Sequence, residues 1–322
     1  MLKIGFHVSI SSGISNSIDH SLKIGCNTFQ IFSRSPRRWD SKPLEKEEIQ
    51  NFIKKKEENR FGPDSIFVHM PYLPNFASSN EELHKRSTSV LMEEIARCAS
   101  LHISYLILHL GTHGGDGNEK GIQQLVNACK FAIENYNKTD LEFKNDKKKK
   151  DTTTDNKSND NQTNLNSVTV LLENNTGKKN SIGSRFEELA IILDKLKSAV
   201  DMRSHSFGIC LDTCHAFASG YDLRTNDKVY ETFDIFNDRV GLKNLKLLHL
   251  NDSKGDFNSN RDLHEHIGLG KIGLDGFKSI LNHNSINKMP MIMETPIDSK
   301  RDDFGNLKVV KSLIQNNGFK TN

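Results

Sequence analysis

The chain has 322 residues, with 44 basic and 41 acidic side chains and a net charge of +3. That length suits one large α/β domain or two smaller ones. The near-balance of charge excludes a grossly basic nucleic-acid binder but leaves room for a local basic groove. Five cysteines (26, 98, 129, 210, 214) form no C-x-x-C pair, which fits a reducing compartment and argues against a disulfide framework or a thiolate zinc site. The start lacks a signal-peptide pattern and no run is long and apolar enough to span a bilayer, so the expectation is a soluble, intracellular protein.

In chain order, residues 2–8 read as a first strand with His7 near its tip. Ile14, Ile18 and Leu22 have helical spacing, and 27–32 is a second strand. The basic loop Arg34-Ser-Pro-Arg-Arg-Trp39 follows, then a polar helix over 44–59. A third strand, 65–69, ends in His69 before a loop in which Pro71 and Pro74 stiffen the backbone around Tyr72 and Leu73. An amphipathic helix over 81–101 precedes a fourth strand, 105–109, and a glycine-rich loop. A helix over 122–136, a fifth strand over 168–173 and a helix over 186–196 come next. Strand six, 207–212, leads into helical material to 240; strand seven is 245–249 and strand eight 291–294, with helices over 276–281 and 307–314.

Strands and helices thus alternate eight times, and near-continuous apolar strands mean a parallel sheet buried on both faces. The predicted fold is a single-domain α/β protein, a (β/α)8 TIM barrel, with a doubly wound open sheet as the alternative. The strand tips favour the barrel. Strands end in His69, His109, Glu173, Asp212, His249 and Glu294. In a barrel these ends ring one mouth; in an open sheet they are strung along an edge. One segment, 138–166, is Lys, Asp, Asn and Thr with almost no apolar residue, and it is read as a disordered insertion on the face opposite the mouth. Its Lys-rich stretch is read as a solvated loop in preference to a nucleic-acid patch, since lysines and acids nearly balance there.

The tips gain company from His215, three residues after Asp212, and from the spaced pair Asp262-Leu-His264. Alone, a D-x-x-H is more often a capping Asp beside a surface His. Nine imidazole and carboxylate side chains together suit zinc, with manganese or iron possible, and exceed what a single ion takes. Two or three clustered ions serve phosphodiester hydrolysis. His7 is read as a structural histidine, with an outer partner to the ligands as the alternative, His113 and His266 as loop residues near the ligands that take no ligand position, and Cys210 and Cys214 as packing residues.

The segments His69-Met-Pro-Tyr-Leu-Pro-Asn75, Gly208-Ile-Cys-Leu-Asp-Thr-Cys-His215 and His249-Leu-Asn-Asp-Ser-Lys254, continuing to Asp262-Leu-His264, carry a resemblance. On them the chain resembles the endonuclease IV family of apurinic/apyrimidinic endonucleases, from residue 3 to about 315 apart from the insertion. The resemblance implies a (β/α)8 barrel with three zinc ions. His69 and His109 would bind one; Glu173 would bridge it to a second, which takes Asp212, His249 and Glu294; His215, Asp262 and His264 would hold the third. Glu173, Glu294 and Asp212 are the implied catalytic carboxylates, and Arg37, Tyr72 and Leu73 the implied DNA-intruding residues, with Arg38 and Trp39 beside them. Two departures stand out: Leu110 where the family often has Pro, and Asn258 where it usually has Gly. The implied partner is double-stranded DNA containing abasic sites, acted on by a monomer with no membrane association. The implied location is the nucleus, mitochondrion or another DNA-containing organelle in a eukaryote, and the cytoplasm in a bacterium. A metal-dependent sugar isomerase or epimerase and a non-catalytic lesion-binding protein are the rival readings.

Overall fold

A computed structural model describes residues 2–150, 168–200 and 206–314, the side chains of 137–150 and 206 excepted. Its strands follow the expected ones: β1 (Ile4–Phe6), β2 (Phe29–Phe32), β3 (Ile66–His69), β4 (Tyr105–His109), β5 (Thr169–Glu173), β6 (Ser206–Asp212) and β7 (Leu245–His249). A short antiparallel pair, β8 (Asp252–Ser253) and β9 (His264–Glu265), precedes β10 (Met291–Met293). The eight long-range strands pair in parallel in the order β1-β10-β7-β6-β5-β4-β3-β2. The two ends of that order meet: Val8 N–H donates to the Gln30 carbonyl at 2.7 Å and Asn27 N–H to the Ile4 carbonyl at 3.3 Å. The sheet is therefore a barrel and not an open wound sheet.

Helices α1 (Asn16–Ile24), α2 (Lys46–Glu58), α3 (Glu81–Ser100), α4 (Asn118–Lys150), α5 (Phe186–Ala199), α6 (Thr213–Ala218), α7 (Asn226–Arg239), α8 (Gly273–Asn282) and α9 (Asp303–Leu313) lie between the strands. Side-chain caps set several starts. The Asn80 side chain accepts from Leu83 N–H at 2.9 Å and Asp302 from Gly305 N–H at 2.8 Å. The helical material expected up to 240 is two helices, because α6 ends at Ala218, just before Gly220 turns the chain with a left-handed φ of 101°, and Thr225 caps a new start. The insertion expected over 138–166 begins inside α4, where Lys and Glu are adequate helix formers. Its remainder, 151–166, lies outside the described residues, as does the expectation of disorder there. No helix among the described residues is long and apolar enough to cross a membrane.

Two cores follow from the period of two along each strand. Phe67, Ile107, Leu171, Cys210, Leu247 and Ile292 form a small closed cluster of their own inside the barrel. Their strand neighbours Val68, Leu108, Leu172, Leu211, Leu248 and Met291 point the other way and join the large core beneath the helices. Two residues beyond each inner apolar side chain, on the same face, stand His69, His109, Glu173, Asp212, His249 and Glu294. Six strands thus place an apolar plug and, one layer above it, a ring of ligand-type groups.

Candidate metal centre

The ring is compact. His69 Nε2 lies 3.1 Å and His109 Nε2 3.5 Å from Glu173 Oε2. On the other oxygen, His249 Nδ1 lies 2.9 Å from Glu173 Oε1, 3.3 Å from Glu294 Oε2 and 3.9 Å from Asp212 Oδ2. One carboxylate therefore serves two groups: His69, His109 and Glu173 form one, and Glu173, Asp212, His249 and Glu294 the other. A third group, His215, Asp262 and His264, stands beside them, with Asp262 Oδ1 at 3.2 Å from His215 Nε2 and 3.3 Å from His264 Nε2. In each group the candidate ligand atoms all lie within 4.8 Å of one another. All nine residues singled out in the sequence are brought together.

Local chain geometry explains the aim of each group. Asp212 caps α6: its Oδ1 accepts from His215 N–H at 2.8 Å, while Oδ2 faces the ring and accepts from Asn251 Nδ2 at 2.6 Å. One oxygen of the D-x-x-H aspartate thus caps the helix while the other stays with the ring. The hairpin formed by β8 and β9 carries Asp262 and His264 back over the mouth. Its turn holds Asn258 at φ 57° and Asn260 at φ 55°, so Asn258 does adopt the left-handed backbone that a glycine would adopt freely. The other departure, Leu110, is fully buried and lies over Gly183, where a Cβ would come within 2.0 Å of its Cδ1.

The imidazoles are tied by their far nitrogens. His69 Nδ1–H donates to the Met70 carbonyl at 2.7 Å, His215 Nδ1–H to the Asn174 carbonyl at 2.9 Å, and His264 Nδ1–H to the Glu294 carbonyl at 3.2 Å. His249 is turned round, its Nε2–H donating to Gln30 Oε1 at 2.8 Å. A carbonyl can only accept, so each bond fixes the tautomer and leaves the lone pair of the other nitrogen facing a cluster. The Nε2 atoms of His215 and His264 are buried and have no aligned hydrogen-bond partner, although the Asp262 carboxylate is close. Buried polar atoms without partners are costly, and lone pairs converging on one point suit a cation. The residues fit a metal.

Charge follows the same design. Burial pushes the Glu173 carboxyl up, but the imidazoles of His109, His249 and His69 outweigh it and hold the group well below the carboxylate range. Burial disfavours charge on His215, yet Asp212, Asp262 and Glu173 hold its pKa well above the usual value, so that with no cation among these carboxylates a proton takes up the Nε2 lone pair. Asp262 is drawn down to about 2, its partial desolvation overcome by the hydrogen bond and charge of His215 and by His264. Glu173 and Asp262 stay ionised, as cation ligands must.

Three amides escaped the sequence reading. Gln30 Nε2 reaches His7 Nδ1 at 2.8 Å and donates to Glu294 Oε1 at 2.7 Å, besides accepting from His249. Asn251 holds Asp212 through Nδ2, and its Oδ1 accepts from Glu294 N–H at 2.8 Å. Asn174 Oδ1 accepts from Asp212 N–H at 2.6 Å. The signal was there for Gln30, a polar residue inside the apolar run Phe29–Phe32. His113 Nδ1 accepts from Gly117 N–H at 2.9 Å, and His266 is held by Asp298 and Asn306, both at 2.9 Å. Cys210 and Cys214 are buried.

A cavity of about 490 Å³ opens above the ring, lined by His7, His69, Tyr72, Glu173, Asp262 and Ile297 among others. Tyr72 is 60 % exposed at its rim, with its ring edge-on to Phe32 at 5.2 Å. Arg37 is exposed, and the Tyr72 N–H donates to the Pro36 carbonyl at 3.1 Å, so their two loops are stitched together. Leu73 is half-buried and lines a neighbouring groove with His109 and Lys178. Arg34 and Trp39, in contrast, are structural. Arg34 is buried against Glu94 at 2.5 Å and Glu93 at 2.6 Å, and Trp39 lies beneath Arg86 at 4.5 Å. Asn75 braces the Tyr72 loop by donating to the Thr112 carbonyl at 3.0 Å and accepting from Thr112 N–H at 2.9 Å. Gly111 must be glycine there: its φ is 95° and a Cβ would meet Asn75 Oδ1 at 2.2 Å.

Residues 18–314 match the family described as xylose isomerase-like TIM barrel. The probable endonuclease 4 of Cenarchaeum symbiosum is 45% identical over 312 residues, covering 97% of this chain and 99% of the relative. The endonuclease IV structure from Thermus thermophilus superposes with a TM-score of 0.75 at 27% identity, covering 97% of this chain and 98% of that one. A D-tagatose 3-epimerase-like protein, at 16% identity and a TM-score of 0.63, shares the fold.

Proposed function

The chain belongs to the endonuclease IV family, and from that premise we propose that it is a zinc-dependent endonuclease of base excision repair acting on abasic sites in duplex DNA. The observation that carries this reading is Glu173, whose two oxygens each serve a separate ligand group at the floor of an open cavity. His69, His109 and Glu173 would hold one ion, Glu173, Asp212, His249 and Glu294 a second, and His215, Asp262 and His264 a third. When bound, such ions supply the positive charge that acidifies water and stabilises the charge developing on phosphodiester oxygens.

The chain's own groups do the rest. An abasic nucleotide has no base to unstack, so its extrusion costs less than that of an ordinary nucleotide. Exposed Tyr72 and half-buried Leu73 fill the vacated stack, and Arg37 holds the backbone. The phosphate 5′ to the lesion then lies over the floor. Glu173 positions the attacking water together with Asp212 and Glu294, which Gln30, Asn251 and Asn174 keep in place. Water adds to phosphorus as the bond to the 3′-oxygen breaks, leaving a 3′-hydroxyl and a 5′-deoxyribose phosphate.

A sugar epimerase shares the barrel, but a third ligand group and a stitched, exposed Arg37–Tyr72 rim have no use for a small enclosed substrate. The test is incubation of the zinc-loaded protein with a duplex carrying one tetrahydrofuran site. Incision 5′ to that site is expected; binding without incision would instead favour a lesion-binding protein.

A further inference from the structure

Of the large apolar side chains exposed on this molecule, one stands apart. Ile297 is 100 % exposed, yet it belongs to the wall of the cavity that holds the three ligand groups. It sits three residues beyond Glu294, on the loop from β10 to α9, while Tyr72 rises from the loop after β3. Apart from Tyr72 and Thr295 the rest of the cavity wall is imidazole and carboxylate, and its aliphatic and phenyl members besides Ile297, Met293 and Phe6, are buried. A fully exposed isoleucine gains nothing for the fold.

The loop that presents it is fixed at several points. Pro296 sets the backbone just before it. Asp298 Oδ1 lies 2.9 Å from His266 Nε2, Lys300 Nζ donates to Glu265 Oε2 at 2.6 Å, and Arg301 donates to the Ile267 carbonyl at 2.7 Å. On the other side, Thr295 Oγ1 accepts from Asn306 Nδ2 at 3.2 Å. A β-branched side chain on an anchored loop loses little freedom when it is covered, so its contact is pre-organised.

We propose that Ile297 is a lesion-specific contact of this chain: it packs against the apolar C–H edge of the extruded abasic deoxyribose while the phosphate rests on the floor. The contact rests on the abasic-site reading above. It needs a sugar that has left the stack and entered the cavity, so intact duplex never meets it. Ile297 binds and does not react.

The test compares the unaltered chain with Ile297→Ala and Ile297→Val, all zinc-loaded, on a tetrahydrofuran duplex and on intact duplex of the same sequence. For Ile297→Ala, KM on the lesion duplex should rise on the order of tenfold, as expected for an aliphatic side chain that loses its burial. Its kcat, melting temperature, zinc content and affinity for intact duplex should stay unchanged. Ile297→Val, which keeps the branch, should recover most of the loss. An unchanged KM, or an equal loss on intact duplex, would overturn the sugar contact while leaving the abasic-site reading standing. Absence of incision by the unaltered chain would sink both.

Discussion

The two groups that share Glu173 and the third group at His215, Asp262 and His264 are built by different means. The first stand on strand ends above an apolar plug, and Glu173, Asp212 and His249 are almost wholly buried. The third hangs from the first turn of α6 and from a hairpin turn, and its Asp262 side chain is 55% exposed. In the strand-borne groups nearly every polar atom has a partner, whereas the third leaves two buried nitrogens without one. Strands deliver rigidity; the hairpin delivers reach.

The most severe way to break the contrast is Glu173→Gln, which keeps the shape and removes the shared negative charge. Incision should fall by orders of magnitude while affinity for abasic duplex falls much less, read by single-turnover cleavage beside a gel-shift titration. Near wild-type cleavage with full metal content would refute the shared-carboxylate assignment. Asn251→Ala comes next. It frees Asp212 Oδ2 and the Glu294 backbone, and activity or metal affinity should drop roughly 10- to 100-fold, as for outer partners of metal ligands. Asp262→Asn should act on the hairpin alone. Elemental analysis should find about one zinc lost and the strand-borne pair retained; loss of all metal would show that the groups are not separate. Replacing Tyr72 and Leu73 together with Ala should weaken binding to abasic duplex at constant metal content. Deleting 138–166 with a short Gly/Ser closure should change incision least, because β5 begins at Thr169, at the end of the strand away from the mouth. A large loss with an intact thermal melt would give that segment a role in DNA binding.

Much of the barrel was legible because its strands are buried on both faces. Tyr105-Leu-Ile-Leu-His109 and Leu245-Lys-Leu-Leu-His249 announce strand, direction and functional tip in five residues each. Six of the nine ligand-type residues were legible for the same reason, since no packing argument accounts for carboxylates and imidazoles at so many tips, and the other three by their motif spacing. What failed to show is what depends on distant partners. Gln30 meets His249 across 219 residues of chain, and Asn251 looks like an ordinary loop amide until Asp212 is seen beside it. The β8–β9 hairpin has only two residues per strand, too few to leave a pattern. Arg34 and Arg37 are indistinguishable by composition, and only the buried Glu94 separates a structural arginine from an available one.

The two-residue step between plug and ring also bears on ancestry. One set of strand positions carries the packing, and the next set on the same face carries the chemistry. A lineage can therefore rewrite the upper set by point changes without disturbing the lower, and descendants can inherit a foundation while exchanging trades. The same fold recurs in a D-tagatose 3-epimerase-like protein at 16% identity, and a fold by itself fixes no chemistry.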